Sequence, residues 1–156
     1  MKMIGKCATA AAIMILPALT LAESQEKQIQ RSDLPDAVRK TVDEQTKGAK
    51  IRGLSTENEN GQTYYEVELI VSGHRKDVLI DSHGSVVEVE EQVSLDSLPQ
   101  AVRDGLQAKT GNGKVVKVES LTKRDRLVAY EAEVLTDGKR SEIQVGPDGA
   151  PLNHEE

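Results

Sequence analysis

Four glutamates carry the most suggestive chemistry in this 156-residue sequence. Glu66 and Glu68 lie in the run Tyr64-Tyr65-Glu66-Val67-Glu68-Leu69-Ile70, and Glu131 and Glu133 in Tyr130-Glu131-Ala132-Glu133-Val134-Leu135. Strict alternation puts Tyr65, Val67, Leu69 and Val71 on one side of a strand and Tyr64, Glu66, Glu68 and Ile70 on the other. The second run divides in the same way, with Tyr130, Ala132 and Val134 opposed to Glu131, Glu133 and Leu135. Carboxylates spaced in this way form a surface for a cationic partner or a hard cation, but they do not build a calcium loop. The plainer alternative is a solvated face on which each Glu pairs with Lys or Arg of a neighbouring strand. The expected partner-contact residues are Tyr64, Glu66, Glu68, Ile70, Glu131, Glu133 and Leu135, with no metal ligands and no cofactor.

Other reactive side chains are badly placed for catalysis. Asp81-Ser82-His83 has the residue types of a hydrolytic triad, yet adjacent residues in one turn cannot orient each other as a triad requires. His74 and His154 fall in a turn and in a polar tail, without the helical spacing of metal ligands. Phosphate-cradling glycine loops are absent. Glu88, Glu90 and Glu91 read as charges guarding a sheet edge. The chain is expected to have no enzymatic activity.

The elements that must position these residues come in two copies. Leu34-Pro35-Asp36-Ala37-Val38-Arg39 returns as Leu98-Pro99-Gln100-Ala101-Val102-Arg103, an offset of 64. Tyr65-Glu66-Val67-Glu68-Leu69 returns as Tyr130-Glu131-Ala132-Glu133-Val134 at an offset of 65, so one residue is inserted before Tyr130. The later register carries Gly73 onto Gly138, Arg75 onto Arg140, Val78 onto Ile143, Ile80 onto Val145 and Gly84 onto Gly149. Each copy opens with a helix whose apolar stripe is Leu34, Val38, Val42 or Leu98, Val102, Leu106. Asp33, and Ser97 with Gln100, are expected to cap these helices, and Gly48 and Gly111 to stop them. Strands follow at Lys50–Leu54 and Lys114–Leu121, then at the alternating runs, then at Val78–Ile80 and Ile143–Val145. Val86–Val93 adds a fourth strand to the first copy, whereas the second keeps only a stub near Leu152.

The first 22 residues have a different character. A basic start, the apolar run Cys7–Leu21 and the small-residue site Thr20-Leu21-Ala22 make a secretory signal peptide, too short in its apolar part for the roughly 20 residues of a membrane span. Residues 23–156 then carry 18 Lys and Arg against 26 Asp and Glu, a net charge of −8, and contain no Cys, Met, Phe or Trp. That composition excludes disulfides, thiolate chemistry and an aromatic base-stacking platform, and it argues against nucleic acid. A periplasmic or secreted location follows, without membrane insertion once the signal is removed.

The Leu-Pro helix start, the Tyr-Glu strand, Gly73 and Gly138, Val78/Ile80 and Ile143/Val145, and the turn glycines Gly84 and Gly149 together resemble the PepSY-like family, related in fold to β-lactamase inhibitor proteins. The resemblance runs from about Asp33 to Leu152. It implies an α+β fold in which two units of one helix and three to four antiparallel strands form one curved sheet, with both helices on one face. It also implies an exported bacterial protein that binds or modulates extracytoplasmic enzymes. The sequence departs from the inhibitors in two features they use to grip enzymes, since it lacks their disulfides and keeps Tyr64 as its outward aromatic. The expected organisation is a signal peptide at 1–22, a polar segment at 23–32, units at 33–95 and 96–152, and a polar tail at 153–156. The expected function is a monomeric protein-interaction module acting through its open sheet face; the alternative is an extracytoplasmic sensor of a small ligand or cation.

Overall fold

A computed structural model describes residues 26–59, 61–154 and 156, so the signal-peptide expectation lies outside the described residues. The described residues form two α-helices, α1 (Asp36–Gln45) and α2 (Gln100–Thr110), and eight strands. The strands are β1 (Lys27–Gln28), β2 (Lys50–Glu59), β3 (Gln62–Val71), β4 (His74–Asp81), β5 (Val86–Gln92), β6 (Lys114–Lys123), β7 (Arg126–Thr136) and β8 (Lys139–Val145). They form one open antiparallel sheet in simple sequential order, β1 to β8. Hairpin turns join the other neighbours directly, and two longer excursions, through α1 and through α2, separate β1 from β2 and β5 from β6. The two halves are thus one sheet, as α+β units too small to hold separate aliphatic cores would require.

Strand registers sort the side chains into two faces. Val67 lies opposite Val78, Val78 opposite Val89, and Tyr65 opposite Ile80. Beyond the junction, Val89 lies opposite Thr122, Val118 opposite Ala132, and Tyr130 opposite Val145. Leu34, Val38 and Val42 pack into one core with Val67, Leu69, Val78 and Ile80, against which Tyr65 lies. Leu98, Val102 and Leu106 pack into a second core with Val118, Ala132 and Val145, against which Tyr130 lies. The alternation read from the sequence therefore half-buries both tyrosines in equivalent places.

The helix starts differ from the sequence expectation. Neither helix has a side-chain cap, because Pro35 and Pro99 occupy the capping position. A 3-10 turn precedes each proline, at Arg31–Asp33 and Leu95–Ser97, which places Asp33 and Ser97 too far upstream. Asp33 instead accepts from the Gln30 amide at 2.9 Å, and the Ser97 hydroxyl donates to Ser94 O at 2.7 Å. The repeated arginines take over part of the anchoring: Arg39 donates to Leu34 O at 2.8 Å, and Arg103 donates to Leu98 O. The first strand of each copy is also longer than expected, since β2 runs to Glu59 and β6 to Lys123.

The turn glycines fix how closely each helix approaches its sheet. Gly84 has φ +85°, and a Cβ there would lie 2.7 Å from Ala37 O. Gly149 has φ +81°, and a Cβ there would run into Ala101 O. Ala37 and Ala101 are repeat equivalents, as are the two glycines. Replacing Gly149 by Ala combines a left-handed strain with a backbone clash, and we expect it to cost about 2–4 kcal/mol. Gly138, at φ +79° with nothing within 4 Å, should lose only about 1 kcal/mol on the same change. Urea unfolding of the two variants checks this; equal losses would show that the helix contact is not the constraint.

Candidate interaction face

The face opposite the two cores is a field of carboxylates. Glu66 lies opposite Ser55 and Leu79, and Glu68 opposite Gly53 and Asp77. Across β5, Asp77 faces Glu90, and Leu79 faces Glu88. Glu88 faces Lys123, Glu90 faces Leu121, and Gln92 faces Glu119. Glu119 then faces Glu131, while Lys117 faces Glu133, and Glu133 faces Glu142. Tyr64 and Ile70 are on this side of β3, and Leu135 is on this side of β7 with 37% of its surface exposed.

All seven expected contact residues thus share one face, but they form two groups rather than one. Four strand spacings separate β3 from β7, roughly 19 Å in a flat sheet. Glu66, Glu68, Tyr64 and Ile70 sit in one group, and Glu131, Glu133 and Leu135 in the other. Asp77, Glu88, Glu90 and Glu119 fill the space between them, and none of these was read from the sequence as a site residue. For Glu88 and Glu90 the edge-guard expectation is overturned. β5 is an interior strand paired on both sides, so its glutamates belong to the seam between halves rather than to an edge. Glu91 points to the other face, where it pairs with Lys76 at 3.7 Å and His74 at 3.1 Å.

Cations offset only part of this charge. Arg75 reaches Glu68 at 3.7 Å, Lys117 reaches Glu119 at 2.7 Å, Lys123 reaches Glu88 at 3.7 Å, and Arg140 pairs with Glu133. Glu119 is 3% exposed and depends on Lys117 for its partner. Ser55 donates to Glu66 at 3.1 Å, and Gln144 donates to Glu131 at 2.8 Å. Asp77 Oδ1 is buried without a hydrogen-bond partner among the described residues. No group of three or more His, Cys, Asp or Glu among the described residues is arranged to hold a metal ion.

Burial raises the carboxyl pKa values across the seam. It lifts Glu66 against the Ser55 hydrogen bond, Asp77 against Arg75, Glu88 against Lys123, and Glu131 against the Gln144 hydrogen bond. For Glu90 the leading influences all act in one direction. Burial first, then the charges of Glu131, Glu119, Glu88 and Asp77, push it up to about 7.

At the rim near Tyr64 the surface is concave. A depression of about 590 Å³ is walled by the Gly61–Tyr65 stretch, Asp81–His83, Val87 and Arg124. A shallower one of about 260 Å³ lies beside Leu79, Glu88 and Lys123 and shares Tyr64, Val87 and Arg124 with it. The Asp81 carboxylate in this rim accepts the His83 and Ser85 amides, both at 2.9 Å, closing the turn. That backbone role, with Ser82 and His83 in the same turn, matches the sequence argument against a triad.

The raised Glu90 pKa has a definite consequence for stability. A folded-state value near 7 against 4.5 unfolded means that the folded protein holds the extra proton. The stabilisation is full below pH about 4.5 and is lost as pH rises through about 7. The loss should be on the order of 2 kcal/mol after allowance for partial solvent screening. Glu90→Gln should flatten this part of the profile and be more stable than the parent above pH 7, as read by urea unfolding across the range. An unchanged slope would remove Glu90 as its source.

Comparisons with known proteins agree with this architecture. A DUF2874 family protein from Bacteroides ovatus is 22% identical, with a TM-score of 0.60 over 77% of this chain and 85% of its own. A BLIP-like protein from Bacteroides fragilis is 20% identical, with a TM-score of 0.58 over 78% of this chain and 85% of its own. A Bacteroides eggerthii protein, described as a "putative periplasmic" protein, is 19% identical, with a TM-score of 0.63 over 77% and 86%. At these identities the likeness is one of fold. No curated protein matches the sequence. A family model described as "Putative beta-lactamase-inhibitor-like, PepSY-like" matches residues 20–88 and 63–149, and with the repeated helix-and-strand unit on one sheet, the chain belongs to the PepSY-like family.

Proposed function

We propose that this chain is an exported, non-enzymatic binding protein that docks another extracytoplasmic protein on its carboxylate face. Both helices cover the opposite face in this reading, a placement supported by the shared register of the two cores. The observation that carries the proposal is the charge imbalance of the sheet face opposite the cores: carboxylates from β3, β4, β5, β6, β7 and β8 outnumber its cations Lys50, Arg75, Lys114, Lys117, Lys123, Arg126 and Arg140. A partner with basic groups at its rim would relieve this imbalance and be steered toward it. Tyr64, beside the concave rim, supplies the residue type that most often anchors such contacts. The family supports binding over catalysis, and the Bacteroides eggerthii relative supports a periplasmic location. Among the described residues, no helix is long and apolar enough to cross a membrane. The units at 33–95 and 96–152 act as one body in this reading, because β5 and β6 pair across their boundary.

Affinity capture from an exported fraction tests the site. Neutralising Glu66, Glu68, Glu131 and Glu133 to Gln should reduce the captured partner at least tenfold, and Tyr64→Ala should weaken it further. An identical set of partners at undiminished yield would refute the assignment.

A further inference from the structure

Besides the single apolar side chains Ile70, Leu79 and Leu135, the carboxylate face carries a buried apolar cluster, and it lies where the second copy departs from the repeat. β6 and β7 pair at an offset of 64 from the first copy as far as their hairpin, Lys123 opposite Arg126 answering Glu59 opposite Gln62. The offset becomes 65 by Tyr130. The intervening register skips Val128, which lies between the pairs Leu121–Ala129 and Thr122–Leu127. The inserted residue is therefore a β-bulge, a feature that re-aims side chains. In the first copy the corresponding pair is Glu57 opposite Tyr64. In the second, Leu121 and Ala129 replace it, and with Val128 they form a small separate core in which the three are 3%, 0% and 8% exposed.

That core is closed by the segment after β8. Leu152 packs against it. Four residues on, Glu156 pairs with Lys123 at 3.8 Å, and its amide donates to Gln144 Oε1 at 2.8 Å. Leu121, Lys123, Ala129 and Gln144 all belong to the carboxylate face by register. Among the described residues its backbone pairs with the sheet at one bridge, Pro151 to Val145, while Asn153 and His154 are exposed. Few contacts and one bridge characterise a part that opens locally, well below the cost of global unfolding.

We propose that Pro151, Leu152 and Glu156 are the contacts of a displaceable strap, and that a partner takes the same seat with an aliphatic side chain in the Leu121–Val128–Ala129 hollow and a carboxylate on Lys123. The proposal rests on the reading of this face as the docking face, and it adds the chemistry of one contact. The basic groups of the partner engage the surrounding glutamates, and its acidic group replaces Glu156 at Lys123. Displacement costs the partner the strap's own contacts, so the strap sets a threshold for binding.

The test uses the full chain and a labelled synthetic peptide with the sequence of Gly149–Glu156. The peptide should bind Leu152→Ser saturably and at least tenfold more tightly than the parent, whose tethered strap competes at high effective concentration. Shifts should centre on Leu121, Val128 and Ala129. Adding Lys123→Gln should weaken binding several-fold, and a peptide with Ser for Leu should not bind. Equal binding by parent and Leu152→Ser, or none by Leu152→Ser, overturns the proposal. Hydrogen exchange on the unaltered chain gives a second reading that survives a misfolded variant. Amides of the strap should exchange faster than those of β7 by orders of magnitude, and exchange only with global unfolding would overturn it. If capture of a partner depends on the glutamates while the peptide fails to bind, the strap is wrong and the face stands.

Discussion

The close approach of each helix to a turn is the contact on which the rest of the architecture depends. A helix lies over a sheet at a height set by the largest group trapped between them. Here the trapped groups are the Ala37 and Ala101 backbones and the turns at Gly84 and Gly149. Small residues on both sides let the stripe of Leu34, Val38 and Val42, or Leu98, Val102 and Leu106, reach the strands. With only aliphatic side chains and two half-buried tyrosines to fill the cores, a helix held further away would leave gaps that no aromatic could close. The two copies secure the contact differently. Thr41 donates to Gly84 O at 2.6 Å. At the equivalent position is Gly105, where an added Cβ would meet Gly149 O, so the second helix approaches without a hydroxyl.

Fixing the apolar face also fixes the chemistry of the other. Once Val67, Val78 and Val89 are committed to the core side, alternation directs Glu66, Asp77, Glu88 and Glu90 to the opposite side. The antiparallel meander then lines them up across the strands instead of scattering them. Half-burial in the sheet removes part of their hydration, and Asp77 and Glu90 face carboxylates on adjacent strands. The raised pKa values of Glu66, Asp77, Glu88, Glu90 and Glu131 follow from that placement. The seam holds together because Lys117 and Lys123 project into it, and because backbone pairing does not depend on the charge state.

Much of this was legible in the residues. The Leu-Pro-x-Ala-Val-Arg repeat marked both helices, and period-two alternation assigned Tyr65 and Tyr130 to the cores and the glutamates to the other side. The central carboxylates were not legible as a site, because strand order is not written in any one strand. Val86–Gln92 reads as an edge until β6 is known to pair with it, and only then do Glu88 and Glu90 become interior. Helix capping was misread for a local reason: proline at the capping position leaves no side-chain cap, and the 3-10 turn before it moves Asp33 and Ser97 out of reach.

The single inserted residue before Tyr130 shows how little sequence is needed to make the halves unequal. Without Val128 the second hairpin would repeat the first, keeping only the irregularity both share, at Arg52 in β2 and Val116 in β6. With it, the strand gains a bulge, and a third apolar side chain joins Leu121 and Ala129 on a face rich in charge. A cluster so small cannot exclude water unaided; Leu152 completes it, and Lys123 draws Glu156 to its side. The carboxylate face is consequently not a uniform acidic plane but a directional one. Tyr64 and its concave rim lie toward the first copy, and the Leu152 seat lies toward the second. A partner that recognised only negative charge could bind in many orientations, whereas one that fills the seat can bind in only one.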